Sequence, residues 1–282
     1  MEDWDKGKRR RDGLGRFTFK RNTEADLALR AIEPGVLDED DLLNVQAQFG
    51  VSEEQVRRDH AISHALAAIS SLDHDTVLFF GGTALSRTHL SGLRLSEDID
   101  LIALGTRSAI AEGMQKVLEK QLRRTLGAPS FTPPLAETRQ PDPSVMQVGS
   151  SNIQIQLLSS DGYPHWPTEV VELEQRYRDA PPARVRVLTA AAFVVSKLAS
   201  WNDRGAPRDL YDLWAMAENG MIDGEAADLF ARIGPFTRIS GLSFTSLPSA
   251  GQWEAALGHQ CLIQVTPAEA VVVVREALAG LG

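Results

Sequence analysis

Across 282 residues the chain is 43% hydrophobic, with a formal net charge of -9 and a single cysteine, Cys261. Apolar content on this scale supplies a large core, and the acid surplus argues against a general nucleic-acid coat while leaving room for a local basic groove. One cysteine excludes an intrachain disulfide and a cysteine-based zinc site.

The opening MEDWDKGKRRRDGLGRFTFKR is rich in Lys and Arg and reads as a basic flexible tail over 1–22 that could clamp RNA. It lacks the apolar core of a signal peptide, and apolar runs such as 271-VVVV-274 are far too short to cross a bilayer. A cytoplasmic protein with no membrane partner is the expectation.

From residue 51, VSEEQVRRDHAISHALAAISSL predicts a helix. Ser52 and Gln55 are placed for a capping box, and Val56, Ile62, Leu66 and Ile69 form an apolar stripe. His60 and His64 lie four apart on it and are read as ordinary surface or partly buried helix positions. A short strand, 77-VLFF-80, runs into Gly81-Gly82, with a short helix or turn from Thr83. Then comes 98-DIDLIAL-104. As a strand it points Asp98 and Asp100 to one face, roughly 7 Å apart. Like charges held that close repel, so a cation belongs between them.

Residues 106–126 predict a helix, and the Pro-rich 128–144 a loop or insertion. The segments 152–159, 169–173 and 184–188 predict strands. Helices are expected over 189–203, 208–219, 222–233 and 267–281, with Gly220 as a stop. Arg123, Arg124, Arg176, Arg178, Arg184 and Arg186 are further candidates for a basic groove.

Alone, a Gly-Gly turn usually just joins two elements, and alternating acids usually form the wet face of an edge strand. Together they suit a phosphoryl or nucleotidyl transferase: the turn approaches phosphate through its backbone, and the acids hold a divalent ion that bridges nucleotide phosphates.

The run from 58-RDHAISHALAAI through FFGGTALSRTHLSGLRLSEDIDL resembles the AbiEii/AbiGii-type nucleotidyltransferase toxins, a family that includes MenT-like toxins and is itself similar to the polymerase-β superfamily. Arg94, Ser96, Asp98 and Asp100 match its R-x-S-x-D-x-D pattern. A second block, 197-KLASWNDRGAPRDLYDL-213, places Lys197, Arg204, Arg208, Asp209 and Asp212 where the family carries a lysine, an arginine and an R-D-x-x-D-like element. From spacing alone these five would be helix-surface ion pairs of little worth.

The resemblance implies an α/β fold: a polymerase-β-like nucleotidyltransferase lobe with a mixed sheet over 23–175, then a mainly helical lobe over 176–282 that completes the active site. It implies Asp98, Asp100, Lys197 and Asp212 as catalytic residues, with Asp98 and Asp100 as metal ligands for Mg2+ or Mn2+. Gly81, Gly82, Thr83, Ser96, Arg204 and Asp209 are implied to bind the NTP. The implied reaction adds nucleotides from NTP to an RNA acceptor, the tRNA 3′ end, and blocks translation; a cognate antitoxin is the implied partner.

Two features depart from the pattern. Phe80 stands where the family often has Lys, and Gln154 and Gln156 stand where a third carboxylate is usual, leaving the base unidentified. Alternatives are transfer to an aminoglycoside-like small molecule or a protein hydroxyl, or a non-catalytic nucleotide-binding module.

Overall fold

The computed structural model describes residues 32–281, and the expected basic tail over 1–22 lies outside them. Two helices come first, α1 (Glu39–Phe49) and α2 (Glu53–Ile69). Ser52 caps α2 by accepting from the Gln55 backbone N–H at 3.3 Å. The reciprocal half of the expected capping box does not form, because Gln55 Oε1 accepts from the Arg58 guanidinium instead, at 2.9 Å. The predicted stripe Val56, Ile62, Leu66 and Ile69 is buried.

Strand β1 (Val77–Phe80) leads directly into the short helix α3 (Gly81–Ser86), and strand β2 (Asp98–Ala103) follows. Next come α4 (Arg107–Leu122), β3 (Ser130–Thr132), β4 (Ser144–Val148), β5 (Ser151–Ser159), β6 (Thr168–Glu172) and β7 (Arg184–Leu188). The seven strands form one mixed sheet in the order β3-β4-β5-β2-β1-β7-β6. Strands β1 and β2 are antiparallel and central, flanked by parallel β7 and β5.

Helices α5 (Ala190–Arg204), α6 (Pro207–Glu218), α7 (Gly224–Ile233), α8 (Ala250–Leu257) and α9 (Pro267–Ala279) complete the chain. The AAAFVV segment at the start of α5 is core, as its composition suggests, with Ala191 through Val195 buried. Among the described residues no helix is long and apolar enough to cross a membrane.

The structure amends several expectations. The segment 128–144 is more than a loop, since it carries β3 and opens β4. Strand β3 is only three residues long with one neighbour, and the Pro-Pro that follows it conceals it in composition. A lobe boundary at 175/176 falls between β6 and β7, which are hydrogen-bonded to each other; from Glu33 onward the chain forms one unit. Helices α1 and α8 were not expected. The mean apolar face of α1 is narrow, with only Val45 and Phe49 fully inward among its apolar residues.

Candidate active site

The site begins where β1 ends. Gly81 has φ of +77°, a conformation that side chains disfavour, and a Cβ there would overlap an Asp100 carboxylate oxygen. At Gly82 a Cβ would press on the Arg94 guanidinium at 2.8 Å and the Ser96 hydroxyl at 3.2 Å. Both glycines are therefore needed for α3 to pack against β2 and the segment before it. Thr83 is buried, and its hydroxyl donates to the backbone carbonyl of Asp98. It ties α3 to β2 and is not among the residues that line the cavity.

Strand β2 presents Asp98 and Asp100 on one face, in register with Gln154 and Gln156 of β5. Neither acid makes an ion pair among the described residues. Burial pushes the Asp98 carboxyl above its ordinary value, with Arg208 opposing. Burial and then the neighbouring Asp98 charge raise Asp100 further, to about 6. Two hard oxygen donors whose charges no side chain neutralises are suited to a divalent cation.

This gives a first prediction. A carboxyl whose folded pKa is raised binds more protons in the folded than in the unfolded chain between pH 3.8 and about 6. Stability therefore falls as pH rises through that window, and the loss persists above it. Asp100→Asn removes the loss. The variant should be more stable than the parent by about 1–2 kcal/mol at pH 7.5 in chelator, less than the full shift because the carboxylate lines an open cavity. The difference should vanish near pH 4. Equal melting at pH 7.5 would contradict this.

Facing the carboxylates is a network set by α5 and α6. Asp209 and Asp212 lie three apart on α6 and share a face. Asp212 is buried and grips Arg94 with both oxygens at 2.8 Å, while Lys197 Nζ lies 2.6 Å from its Oδ2. Against burial, Arg94 and Lys197 hold the Asp212 carboxyl down at about 2. Asp209 is fully buried and accepts from Lys197 at 3.2 Å and from Arg204 at 2.7 and 3.0 Å. Its oxygens are committed to positioning these cations. Arg94 also donates to Gln260 Oε1 at 2.8 Å, joining the chain's late segment to the site.

Between the sheet and these helices is a cavity of about 280 Å³. Of the residues expected from sequence, it brings together Gly82, Ser96, Asp98, Asp100, Lys197, Arg204 and Asp209. Asp212 lies behind Lys197, and Gly81 packs on Asp100. Sequence reasoning left Arg94 and Arg208 out of the site, although both sit in matched motifs. Arg208 lines the cavity and, among the described residues, has no hydrogen bond or ion pair in the network.

The expected basic groove does not hold at three positions. Arg176 is buried against Asp59, Arg178 pairs with Asp41 at 2.9 Å, and Arg186 pairs with Asp75. Compensating carboxylates distant in sequence consume their charge.

Comparison with known proteins accords with this geometry. The AbiEii family model, described as nucleotidyl transferase AbiEii toxin of type IV toxin–antitoxin systems, matches residues 64–260. No curated relative matches the chain at a significant level. Among solved structures, the nucleotidyltransferase toxin MenT4 from Mycobacterium tuberculosis H37Rv superimposes with a TM-score of 0.63 at 17% identity, covering 87% of this chain and 90% of that one. A STING-associated CdnE c-di-GMP synthase from Capnocytophaga granulosa covers 86% of this chain and 88% of its own at 12% identity, but its TM-score of 0.27 is too low to bear on the fold. MenT4 establishes the nucleotidyltransferase fold, with its mixed sheet and helical C-terminal region. The family match spans well over half of the sequence and contains every residue of the cavity, and the chain belongs to the AbiEii nucleotidyltransferase toxins of type IV toxin–antitoxin systems.

Proposed function

We propose that this toxin transfers a nucleotide from an NTP to the 3′ end of tRNA, with Asp98 and Asp100 holding Mg2+ or Mn2+. Family membership makes the chain a nucleotidyltransferase and implies an NTP substrate, a divalent metal and a cognate antitoxin. The observation that carries the site reading is the unpaired carboxylate pair sharing one cavity with Lys197, Arg204 and Arg208. A divalent ion there supplies charge neutralisation at the α-phosphate and the departing pyrophosphate.

The chain's own residues do the rest. Lys197, fixed by Asp209 and Asp212, offers a preset positive charge to the phosphates. Gly82 and Ser96 line the same wall and let the phosphates approach the backbone. The acceptor hydroxyl oxygen bonds to the α-phosphorus as its proton passes to solvent water, the bond from that phosphorus to the bridging oxygen breaks, and pyrophosphate leaves with the electron pair. Gln154 and Gln156 stand where a third acid would, and neither can take the hydroxyl proton. Positioning and charge neutralisation therefore carry the step. At about 280 Å³ the cavity is near the lower end of small-molecule sites, roughly 300–1,000 Å³. It suits the phosphates and ribose, with base and acceptor at the mouth.

Arg208 is the cavity cation without a carboxylate partner among the described residues, so its charge is free for a phosphate. Arg208→Ala should raise KM for NTP about 10–100-fold, the worth of one charge-assisted hydrogen bond, with little change in melting temperature. An unchanged KM would remove Arg208 from the site.

Choice of tRNA rests on what the sequence resemblance implies and on the basic opening KGKRRR. The test offers α-labelled NTPs with intact tRNA and with tRNA whose 3′ diol has been oxidised by periodate. Label on intact tRNA alone supports the reading. Equal label on both forms, or label only on an aminoglycoside or on protein, contradicts it.

A further inference from the structure

Helix α2 carries His60 and His64 four residues apart, so their side chains share a face. The segment between β6 and β7 closes over that face and brings in Asp179. His60 Nε2 lies 3.0 Å from each Asp179 oxygen, and His64 Nε2 lies 2.9 Å from Oδ2. The two ring nitrogens are 3.3 Å apart. The three side chains are nearly inaccessible, at 5%, 2% and 2% exposure. The surface or partly buried placement expected of these histidines does not hold.

Hydrogen bonding cannot close this triangle. A ring nitrogen carries either a hydrogen or a lone pair. When both carry hydrogens, both donate to Asp179 and two N–H groups confront each other. When one presents its lone pair, it accepts from the other ring but faces a carboxylate oxygen with no hydrogen between them. Either way one edge is unmade. Three lone pairs around a cation satisfy all three edges at once. Tetrahedral coordination with metal–donor distances of about 2.0–2.1 Å gives donor–donor edges of about 3.3 Å. The observed edges are 2.9–3.3 Å.

We propose that His60, His64 and Asp179 form a structural site for a divalent transition metal of the zinc type, separate from the Asp98–Asp100 pair. Two imidazoles and one carboxylate suit zinc and disfavour magnesium or calcium, which take oxygen ligands. The Gly35 N–H donates to Asp179 Oδ2 at 2.9 Å, the kind of outer hydrogen bond that orients a ligating carboxylate. A cavity of about 200 Å³ is lined by His60 beside Gly35 and Arg57, so the cluster borders solvent on the His60 side. None of the three ligands lines the nucleotide cavity.

The site has a structural task. Asp179 shares its segment with Arg176 and Tyr177, whose side chains reach Asp59 on α2, and Asp59 also pairs with buried Arg87 just after α3. A metal bridging α2 and Asp179 pins that segment to the helix.

The test uses the full chain without a histidine tag, and in parallel an Asp98→Asn/Asp100→Asn form that removes the other metal-binding carboxylates. Zinc content after dialysis should be one ion per chain in both. Chelator should lower the melting temperature, and Co2+ loading should give the intense visible bands of tetrahedral coordination. His60→Gln and His64→Gln should lose the ion and the bands. Should either variant fail to fold, the cobalt spectrum of the Asp98→Asn/Asp100→Asn form still decides. No retained zinc, octahedral cobalt bands in that form, or undiminished zinc in a folded His64→Gln variant would overturn the proposal.

Discussion

Asp98→Asn is expected to lower nucleotide transfer by about three orders of magnitude while leaving the fold intact. The substitution keeps size and shape and deletes one negative charge of the pair proposed to hold the divalent ion. Charge stabilisation of this kind contributes several kcal/mol to a phosphoryl-type transition state, and each 1.36 kcal/mol is a factor of ten in rate. The fold should survive because Thr83 binds the backbone carbonyl of residue 98, which Asn retains, and β2 stays paired on both sides. Removing a repelling neighbour should also bring Asp100 back toward its ordinary value, since the Asp98 charge is the second cause of its rise. The measurement pairs steady-state transfer with thermal melting. Activity within tenfold of the parent would remove Asp98 from the chemistry.

Asp212→Ala should have the largest effect on stability, about 3–5 kcal/mol, the cost typical of leaving buried charges without their partner. Arg94 and Lys197 are 2% and 6% exposed, and among the described residues Asp212 is the only carboxylate that touches both. The sign of its pH dependence follows from the depressed carboxyl. Folded Asp212 titrates at about 2, below its ordinary 3.8, so its contribution is complete above that ordinary value and is lost as pH falls toward 2. The gap between parent and variant should be flat from pH 5 to 8 and narrow by about 2 kcal/mol as pH falls from 4 to 2. Urea denaturation across that range measures it. A gap under 1 kcal/mol at pH 7 would show that the cations find other partners. Arg94→Met in the Asp212→Leu background should recover much of the loss, because a buried pair replaced by apolar side chains is often near neutral.

What could be read from sequence was what neighbouring residues decide. The alternation in DIDLIAL fixes a shared face for Asp98 and Asp100, and a strand running into Gly-Gly fixes a close turn whatever surrounds it. Spacing on α6 puts Asp209 and Asp212 together. Their partners were another matter. Arg94 meets Asp212 across 118 residues of sequence, and Asp179 reaches His60 across 119. No local pattern encodes either meeting, so Arg94 stayed outside the predicted site and the histidines were taken for ordinary helix positions. The partner of Thr83 was equally hidden. A hydroxyl after two glycines suits a phosphate, yet the carbonyl of Asp98 lies within its reach and takes the hydrogen bond. Asp209 lines the cavity, and the cations its oxygens hold, Lys197 and Arg204, come from α5 rather than from its own helix. The edge strand β3 escaped because three residues between loops and prolines carry no period.

Whether the Asp98–Asp100 cavity performs nucleotidyl transfer is decided by the position of the label within the NTP. Purified protein is incubated with total RNA, Mg2+ and each NTP, labelled in one set at the α-phosphate and in the other at the γ-phosphate, beside Asp98→Asn. RNA should gain α-label and no γ-label, pyrophosphate should carry the γ-label, and both products should be lost in the variant or in chelator. RNA labelled from the γ-position would mean phosphoryl transfer instead, and α-labelling equal in protein and variant would place the chemistry outside these two carboxylates.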